Sequence, residues 1–207
     1  MQQIEPLLPG KFYHIYNRGI NSCNVFTETT NFEYFLNLYD KYISTVADTF
    51  AWVLMKNHFH FLVRIKEKEE VQRGAVTQTL SGLETTERVK FSPSHQFSHL
   101  FNAYAQAFNK RNNRTGSLFE HPFKRKLIED IDYFKTVVLY IHNNPVHHGV
   151  RQHAMDYPWS SYLTCISVMP THLQRDEVIG WFNNRADFEA AHNNQGDIID
   201  LEKWLEL

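Results

Sequence analysis

The sequence predicts an α+β fold, an antiparallel sheet with helices packed on it. Three observations carry this. Short stretches with strand-like alternation are interleaved with longer stretches of helical period. They follow one another in the order strand, helix, strand, strand, helix, strand, helix. Aromatic residues make up 14% of a chain that is 43% hydrophobic, a composition that favours sheet surfaces over a plain helical bundle.

Each element has its own signal. FYHIYNRG (Phe12–Gly19) alternates and closes on a turn-like Asn-Arg-Gly, a first strand. Asn31–Val46 places Phe32, Phe35, Leu36, Tyr39 and Ile43 at helical spacing. Thr49–Met55 is a short apolar strand, Lys56-Asn57 a hairpin turn, and HFHFLVRIK a third strand. Lys66–Gln96 is polar and without clear period, and reads as a long loop of the kind that is often functional. From about Phe97, the residues Leu100, Phe101, Tyr104 and Phe108 mark a second helix, closed by a basic, turn-rich stretch from Lys110 to Gly116. Phe123–Glu129 reads as a fourth strand. Asp130 or Asp132 then caps a third helix, predicted to end before Pro145. This order matches a ferredoxin-like unit with one added helix. Beyond Trp159 the chain reads as short helices (THLQRDEVIGWF and IIDLEKWLEL), so the predicted organisation is a domain over 1–162 and an acidic helical extension over 163–207.

A chain of 207 residues is expected to form one domain with an appendage. No run of 18 apolar residues exists to span a membrane, and the first residues, MQQIEPLLPGKF, lack the pattern of a secretory leader. Cys23 and Cys165 are far apart and in no metal-type spacing. A reduced, cytoplasmic protein is the expectation. The net charge of −2 is unevenly spread. From Gln152 onward three basic residues face nine acidic ones, a net of −6, which leaves +4 on residues 1–151. A mildly basic body is compatible with phosphate binding.

The third strand raises a question of chemistry. Alternate residues of a strand share a face, so Phe59, Phe61, Val63 and Ile65 suit a core, while His58, His60, Leu62 and Arg64 face the other way. At about 3.3 Å per residue the two imidazoles are rooted about 6.6 Å apart, close enough to converge on one metal ion. Two unrelated histidines at a strand end give the same pattern, so the motif needs a partner elsewhere. On the third helix, Tyr133, Thr136, Tyr140 and Asn144 share one face, beside an apolar stripe of Phe134, Val137, Val138 and Ile141. This places Tyr140 off the main buried stripe, one turn before Asn144. A tyrosine at a core edge with its hydroxyl in water is the bland alternative.

The run from Phe12 to Tyr162 resembles the single-tyrosine HUH transposases, most closely the REP-associated tyrosine transposase branch. The resemblance is carried, in order, by YHIYNRG, WVLMKNHFHFLV, NKRNNRTGSLFEHPFKRKLIED, DYFKTVVLYIHNNPVHHGV and DYPWSSY. It implies a metal-dependent enzyme that nicks and rejoins single-stranded or hairpin DNA through a 5′-phosphotyrosine. Carried over by position, it implies that His58 and His60 are metal ligands, Asn144 a third, polar ligand, and Tyr140 the nucleophile. It implies Mg²⁺ or Mn²⁺; imidazole softness leans to Mn²⁺. The sequence departs from the pattern at His147-His148, where relatives often have Arg-Ala, and at 119–123, where Phe-Glu-His-Pro-Phe replaces a more usual Gln-Gly-Arg. Both departures remove positive charge near the DNA path and bear on substrate preference. Relatives act as monomers or as homodimers that exchange the tyrosine helix, and the sequence leaves both open.

The cations Lys110, Arg111, Arg114, Lys124, Arg125 and Lys126 cluster between the second and third helices, interleaved with Phe119 and Phe123. Aromatics among cations suit unpaired bases and their phosphates. Asn17 and Arg18 are expected to contact DNA near the cleavage site. His14 shares a strand face with Tyr16 and is either an outer partner of the metal site or a surface histidine. Four alternatives remain at this stage: Tyr133 as nucleophile, a domesticated nuclease of repeated palindromes, a non-catalytic nucleic-acid-binding module, and a structural Zn²⁺ site completed by His14 or His142.

Overall fold

The structure, a computed structural model, describes residues 5–71 and 92–193. Four strands form one antiparallel sheet in the order β2-β3-β1-β4: β1 (Phe12–Arg18), β2 (Ala47–Leu54), β3 (His58–Ile65) and β4 (Lys124–Ile128). With α1 (Thr29–Ile43) after β1 and α2 (Pro93–Arg111) after β3, this is the ferredoxin-like arrangement that the element order predicts.

Local chemistry sets the element ends. A capping box between Glu28 and Asn31 starts α1, so the helix opens two residues ahead of the predicted Asn31. α2 starts at Pro93 rather than near Phe97. The Ser92-Pro93 pair that reads as loop punctuation is the helix start itself: proline at the first helical position lacks only an N–H that would be unpartnered there. β2 begins two residues ahead of Thr49 because Ala47 and Asp48 pair with Ile65 and Arg64, with a register irregularity between Thr49 and Ala51. The stretch 72–91 of the predicted loop, and the tail segment IIDLEKWLEL, lie outside the described residues.

The third helix, α3 (Ile131–His147), does not stop before Pro145 but carries it inside. A proline removes one N–H and crowds the preceding turn. Here it sits in the last turn, where the chain is leaving the helix anyway. The next backbone groups then close a turn, with His148 N–H donating to Asn144 C=O (3.1 Å) and Val150 N–H to Pro145 C=O (2.8 Å). This keeps Asn144 in helical register four residues after Tyr140.

Two cores flank the sheet. On one face α1 and α2 cover Tyr13, Ile15, Phe59, Phe61, Val63 and Ile65 with Phe35, Tyr39, Phe97, Phe101 and Tyr104. On the other, α3 covers Ala51, Val53 and Leu62 with Phe134, Val137, Val138 and Ile141. The short helices α4 (Tyr162–Ile166), α5 (Arg175–Trp181) and α6 (Arg185–Asn193) complete this second core, to which Tyr162, Cys165, Val178, Phe182 and Phe188 contribute. The packing therefore continues from residue 162 into 163–193. One consequence corrects the sequence reading: Tyr140 is not off the buried stripe but only 1% exposed, and Asn144 is fully buried. The sheet covers one side of the last turns of α3, and α6 covers the other, where His142 Nδ1 lies 2.9 Å from His192 Nε2.

Candidate active site

Cross-strand register builds the site. One row of paired residues runs across the sheet from Lys124 on β4 through Tyr16 on β1 and His60 on β3 to Val53 on β2, which is bridged in turn to Ser160. Two residues along, on the next row of the same face, His14 pairs with Leu62 and Lys126. Residues of one row share a face, so β1 and β3 present His14, Tyr16, His58 and His60 together toward α3.

On α3, Tyr140 and Asn144 close over these histidines. The Tyr140 ring stands edge-on to His60, centroids 5.3 Å apart at 85°, and 6.1 Å from His14 at 84°. Asn144 Oδ1 lies 2.9 Å from His58 Nε2. His60 Nδ1 lies 3.0 Å from His14 Nε2. The predicted ligands and nucleophile, which span residues 58 to 144, are thus brought into one cluster linked by pairwise contacts, His58 and His60 lying 5.2 Å apart ring to ring. Tyr133 lies two turns away at the surface of α3.

Burial sets the protonation states. His14 and His60 are almost fully buried, and desolvation pushes the His14 pKa down to about 3 and that of His60 well below its ordinary value. Desolvation also lowers His58, to about 4, against a raising contribution from Asn144. All three imidazoles are neutral at neutral pH, with lone pairs available.

The hydrogen-bond pattern at His58 tests whether a cation fits. Asn57 Oδ1 lies 2.7 Å from His58 Nδ1 and can only accept, so Nδ1 carries the proton. Nε2 then presents a lone pair to Asn144 Oδ1, which is also an acceptor, while Asn144 Nδ2 is buried without a hydrogen-bond partner among the described residues. Two acceptors face each other unless the amide turns over or a cation stands against both. Two metal bonds of about 2.1 Å at a right angle set their ligand atoms about 3.0 Å apart, close to the separation found. At His60, a lone pair on Nε2 requires the proton on Nδ1, donated to His14 Nε2. That puts the His14 proton on Nδ1, which is buried and has no partner among the described residues. The donor set of two imidazoles and one amide oxygen fits a divalent cation. A structural site with a fourth histidine does not form: His142 is bonded to Ser161 and His192, and among the described residues no group of three His, Cys, Asp or Glu is placed to hold a metal.

The site opens into a cleft of about 1000 Å³ lined by Tyr16, Asn17, Arg18, His58, His60, Lys124, Tyr140 and His148, among others. Of the predicted DNA contacts, Asn17, Arg18 and Lys124 line it. The Asn17 amide donates to Glu120 C=O (3.1 Å), and Arg18 pairs with the Glu120 carboxylate (2.7 Å). Lys124 sits over the Tyr16 ring at 5.8 Å. Lys126 shares the His14 side of β4. Arg125 alternates to the opposite face, where it donates to Ser94 Oγ (2.9 Å) and lies 3.9 Å from the Phe123 ring centre. Lys110 and Arg111 line a separate groove between α1 and α2, with Arg111 paired to Glu28 at 2.6 Å, and Arg114 bonds Asn109. Phe119 and Phe123 are core residues, 2% and 8% exposed, so they offer no platform for bases.

Sequence reasoning left His14 open and missed Asn57, His148 and Trp159. Strand alternation puts His14 on the face of Tyr16, but only the β1–β3 register sets it against His60. His148, edge-on to His58 at 5.0 Å, stands where the sequence shows only a departure from a family pattern.

No family model matches the chain, and no curated protein does. Among solved structures, one described as a REP-associated tyrosine transposase bound to a REP hairpin superposes with a TM-score of 0.62 at 16% identity, over 82% of this chain and 88% of that one. The fold is that of a REP-associated tyrosine transposase. The superposition extends over most of both chains. At this identity the likeness concerns the fold, and the chemistry rests on the residues described above.

Proposed function

We propose that the chain is a metal-dependent DNA strand-transfer enzyme that cleaves single-stranded or hairpin DNA through Tyr140. One observation carries this reading: His58, His60 and Tyr140 line one cleft together with Arg18 and Lys124, and the buried Asn144 sets its Oδ1 2.9 Å from His58 Nε2 behind them. The hairpin-bound neighbour supports DNA as the partner.

His58 Nε2, His60 Nε2 and Asn144 Oδ1 are the atoms that would hold Mg²⁺ or Mn²⁺. When bound, such an ion neutralises and orients the non-bridging phosphate oxygens. Tyr140 Oη attacks phosphorus in line, its phenolic proton passes to solvent through the cleft it lines, and the bond to the 3′ oxygen breaks. The departing oxygen takes up a proton to become a 3′-hydroxyl, and the strand stays joined to the protein as a 5′-phosphotyrosine. One phosphodiester replaces another, so the reverse attack by a 3′-hydroxyl rejoins DNA without a nucleotide cofactor. His14 holds the His60 ring from behind, and Asn57 fixes the His58 tautomer. Lys124 and Arg18 attract the flanking phosphates.

The test is incubation with labelled hairpin oligonucleotides and Mg²⁺ or Mn²⁺, followed by a denaturing gel. A protein-linked band that requires the cation and Tyr140 is expected. Adducts that persist in Tyr140→Phe and vanish in Tyr133→Phe would reassign the nucleophile, and no adduct under any condition would leave a binding module instead.

A further inference from the structure

The cleft has two chemically distinct ends. The row that sets out from Lys124, Tyr16 and His60 ends at Val53 and Ser160, past the catalytic residues. At about 4.8 Å per ladder spacing, Ser160 lies roughly 10 Å from His60 across the sheet. Beside this edge of the sheet, on the side that α1 packs against, the cleft wall is aromatic. Trp159 stacks on Phe32, centroids 4.6 Å apart and 14° from parallel, and Phe32 stacks on Phe26 at 4.7 Å and 21°. All three rings line the cleft, as do Tyr157, Asn24 and Asn57.

Trp159 is the last ring of this stack. It is half-buried, and among the described residues no other ring packs on it. Its position is fixed by backbone pairing on both sides. Leu54 N–H donates to Trp159 C=O (2.9 Å), Tyr157 Oη donates to Leu54 C=O (2.7 Å), and Ser161 N–H donates to Trp52 C=O (2.9 Å). An indole held this firmly at a cleft wall loses little entropy when a flat ring stacks on it. Two amides stand nearby. The exposed Asn24 side chain makes no hydrogen bond among the described residues. Asn57 has its oxygen on His58 Nδ1, which leaves its NH₂ group to donate into the cleft.

We infer that this end of the cleft holds one unpaired nucleobase of the substrate strand, stacked on Trp159 with its edge toward Asn24 and Asn57. The inference rests on the proposed function, since continuity with the catalytic end identifies the flat ligand as a base. The stacked base lies on the side of the scissile phosphate away from Lys124. A base that bonds the Asn57 amide also holds that amide's oxygen on His58, so the pocket and the metal ligand share one side chain.

The experiment uses the full chain carrying Tyr140→Phe, so that binding is measured without reaction. A fluorescein-labelled DNA hairpin with single-stranded flanks is made as a series, with an abasic site moved along the flanks one position at a time. Fluorescence anisotropy gives Kd at fixed salt. One position is expected to weaken binding roughly tenfold when its base is missing, and that penalty is expected to fall below about twofold once Trp159→Ala is added. Where Trp159→Ala does not fold, Trp159→Phe serves, and the penalty should drop about threefold with the smaller ring. An abasic penalty that is the same with and without the Trp159 change overturns the inference. Adduct formation by the unsubstituted chain on the same hairpin is read separately. Adducts without any coupling to Trp159 overturn the base pocket and leave the catalytic reading, coupling without adducts does the reverse, and a chain that binds none of the oligonucleotides overturns both.

Discussion

On the face of the sheet covered by α1 and α2, strands β1 and β3 present Tyr13, Ile15, Phe59, Phe61, Val63 and Ile65; on the face covered by α3 they present His14, Tyr16, His58, His60 and Leu62. The first face packs aromatic on aromatic, as where Tyr39 lies 4.2 Å from Phe61 at 12° and Phe35 5.2 Å from Phe59. The second buries His14, His60, His142, Asn143, Asn144, Ser161 and His192. Burying a polar group costs free energy unless it is hydrogen-bonded, so an atom left over, such as His14 Nδ1 or Asn144 Nδ2 among the described residues, is a direct cost. One strand therefore serves two purposes. Its odd-numbered residues hold the domain together, and its even-numbered residues hold chemical groups in place at some expense of stability.

Substitutions can break this division of labour. The largest expected effect is at Tyr140→Phe, which should remove detectable covalent adduct while DNA affinity changes less than threefold; a gel and an anisotropy titration read the two quantities, and surviving adduct would move the chemistry elsewhere. On the apolar face, Phe61→Ala should cost about 3–5 kcal/mol in urea unfolding yet leave Mn²⁺ affinity of the folded protein within about twofold. Asn144→Ala should do the opposite, weakening Mn²⁺ binding by about tenfold or more with a smaller stability change. Calorimetry that finds equal Mn²⁺ binding in both variants would dissolve the distinction.

Acid is expected to act through the polar face. His14, His58 and His192 have folded pKa values lowered to about 3, 4 and 4, with His60 and His142 lowered as well. The unfolded chain takes up protons near the ordinary histidine value of about 6.5, whereas the folded chain does not. Stability is therefore full above that pH and falls as pH drops toward the folded values, by up to about 1.4 kcal/mol per pH unit for each such histidine. Urea midpoints at pH 7.5 and 5.5 should show the loss, and His192→Leu should reduce its slope. A midpoint independent of pH over that interval would contradict the burial of these rings. The smallest effect concerns the cations. Lys124→Ala should lower the slope of log affinity against log salt by about 0.7 for single-stranded DNA, whereas Arg125→Ala, on the opposite face, should leave it unchanged. Equal changes from both would remove the cleft as the DNA path.

The sequence by itself determined the element order and with it the ferredoxin-like sheet, because alternation and helical period follow directly from which side chains avoid water. It also determined which residues share a face on β3 and on α3, and the four-residue interval between Tyr140 and Asn144. Chain ends of elements were legible only in part. Pro93 opens a helix and Pro145 closes one from within, two roles that depend on position in the turn and not on residue type. Tertiary structure decided what lies across a gap. Register set His14 on His60 and Lys124 on Tyr16, strand parity sent Arg125 away from the cleft, and the return of the chain along β2 placed Trp159 beside the site. Such contacts join residues far apart in sequence, so no local periodicity records them; they exist only once the backbone hydrogen bonds have fixed which strand is whose neighbour.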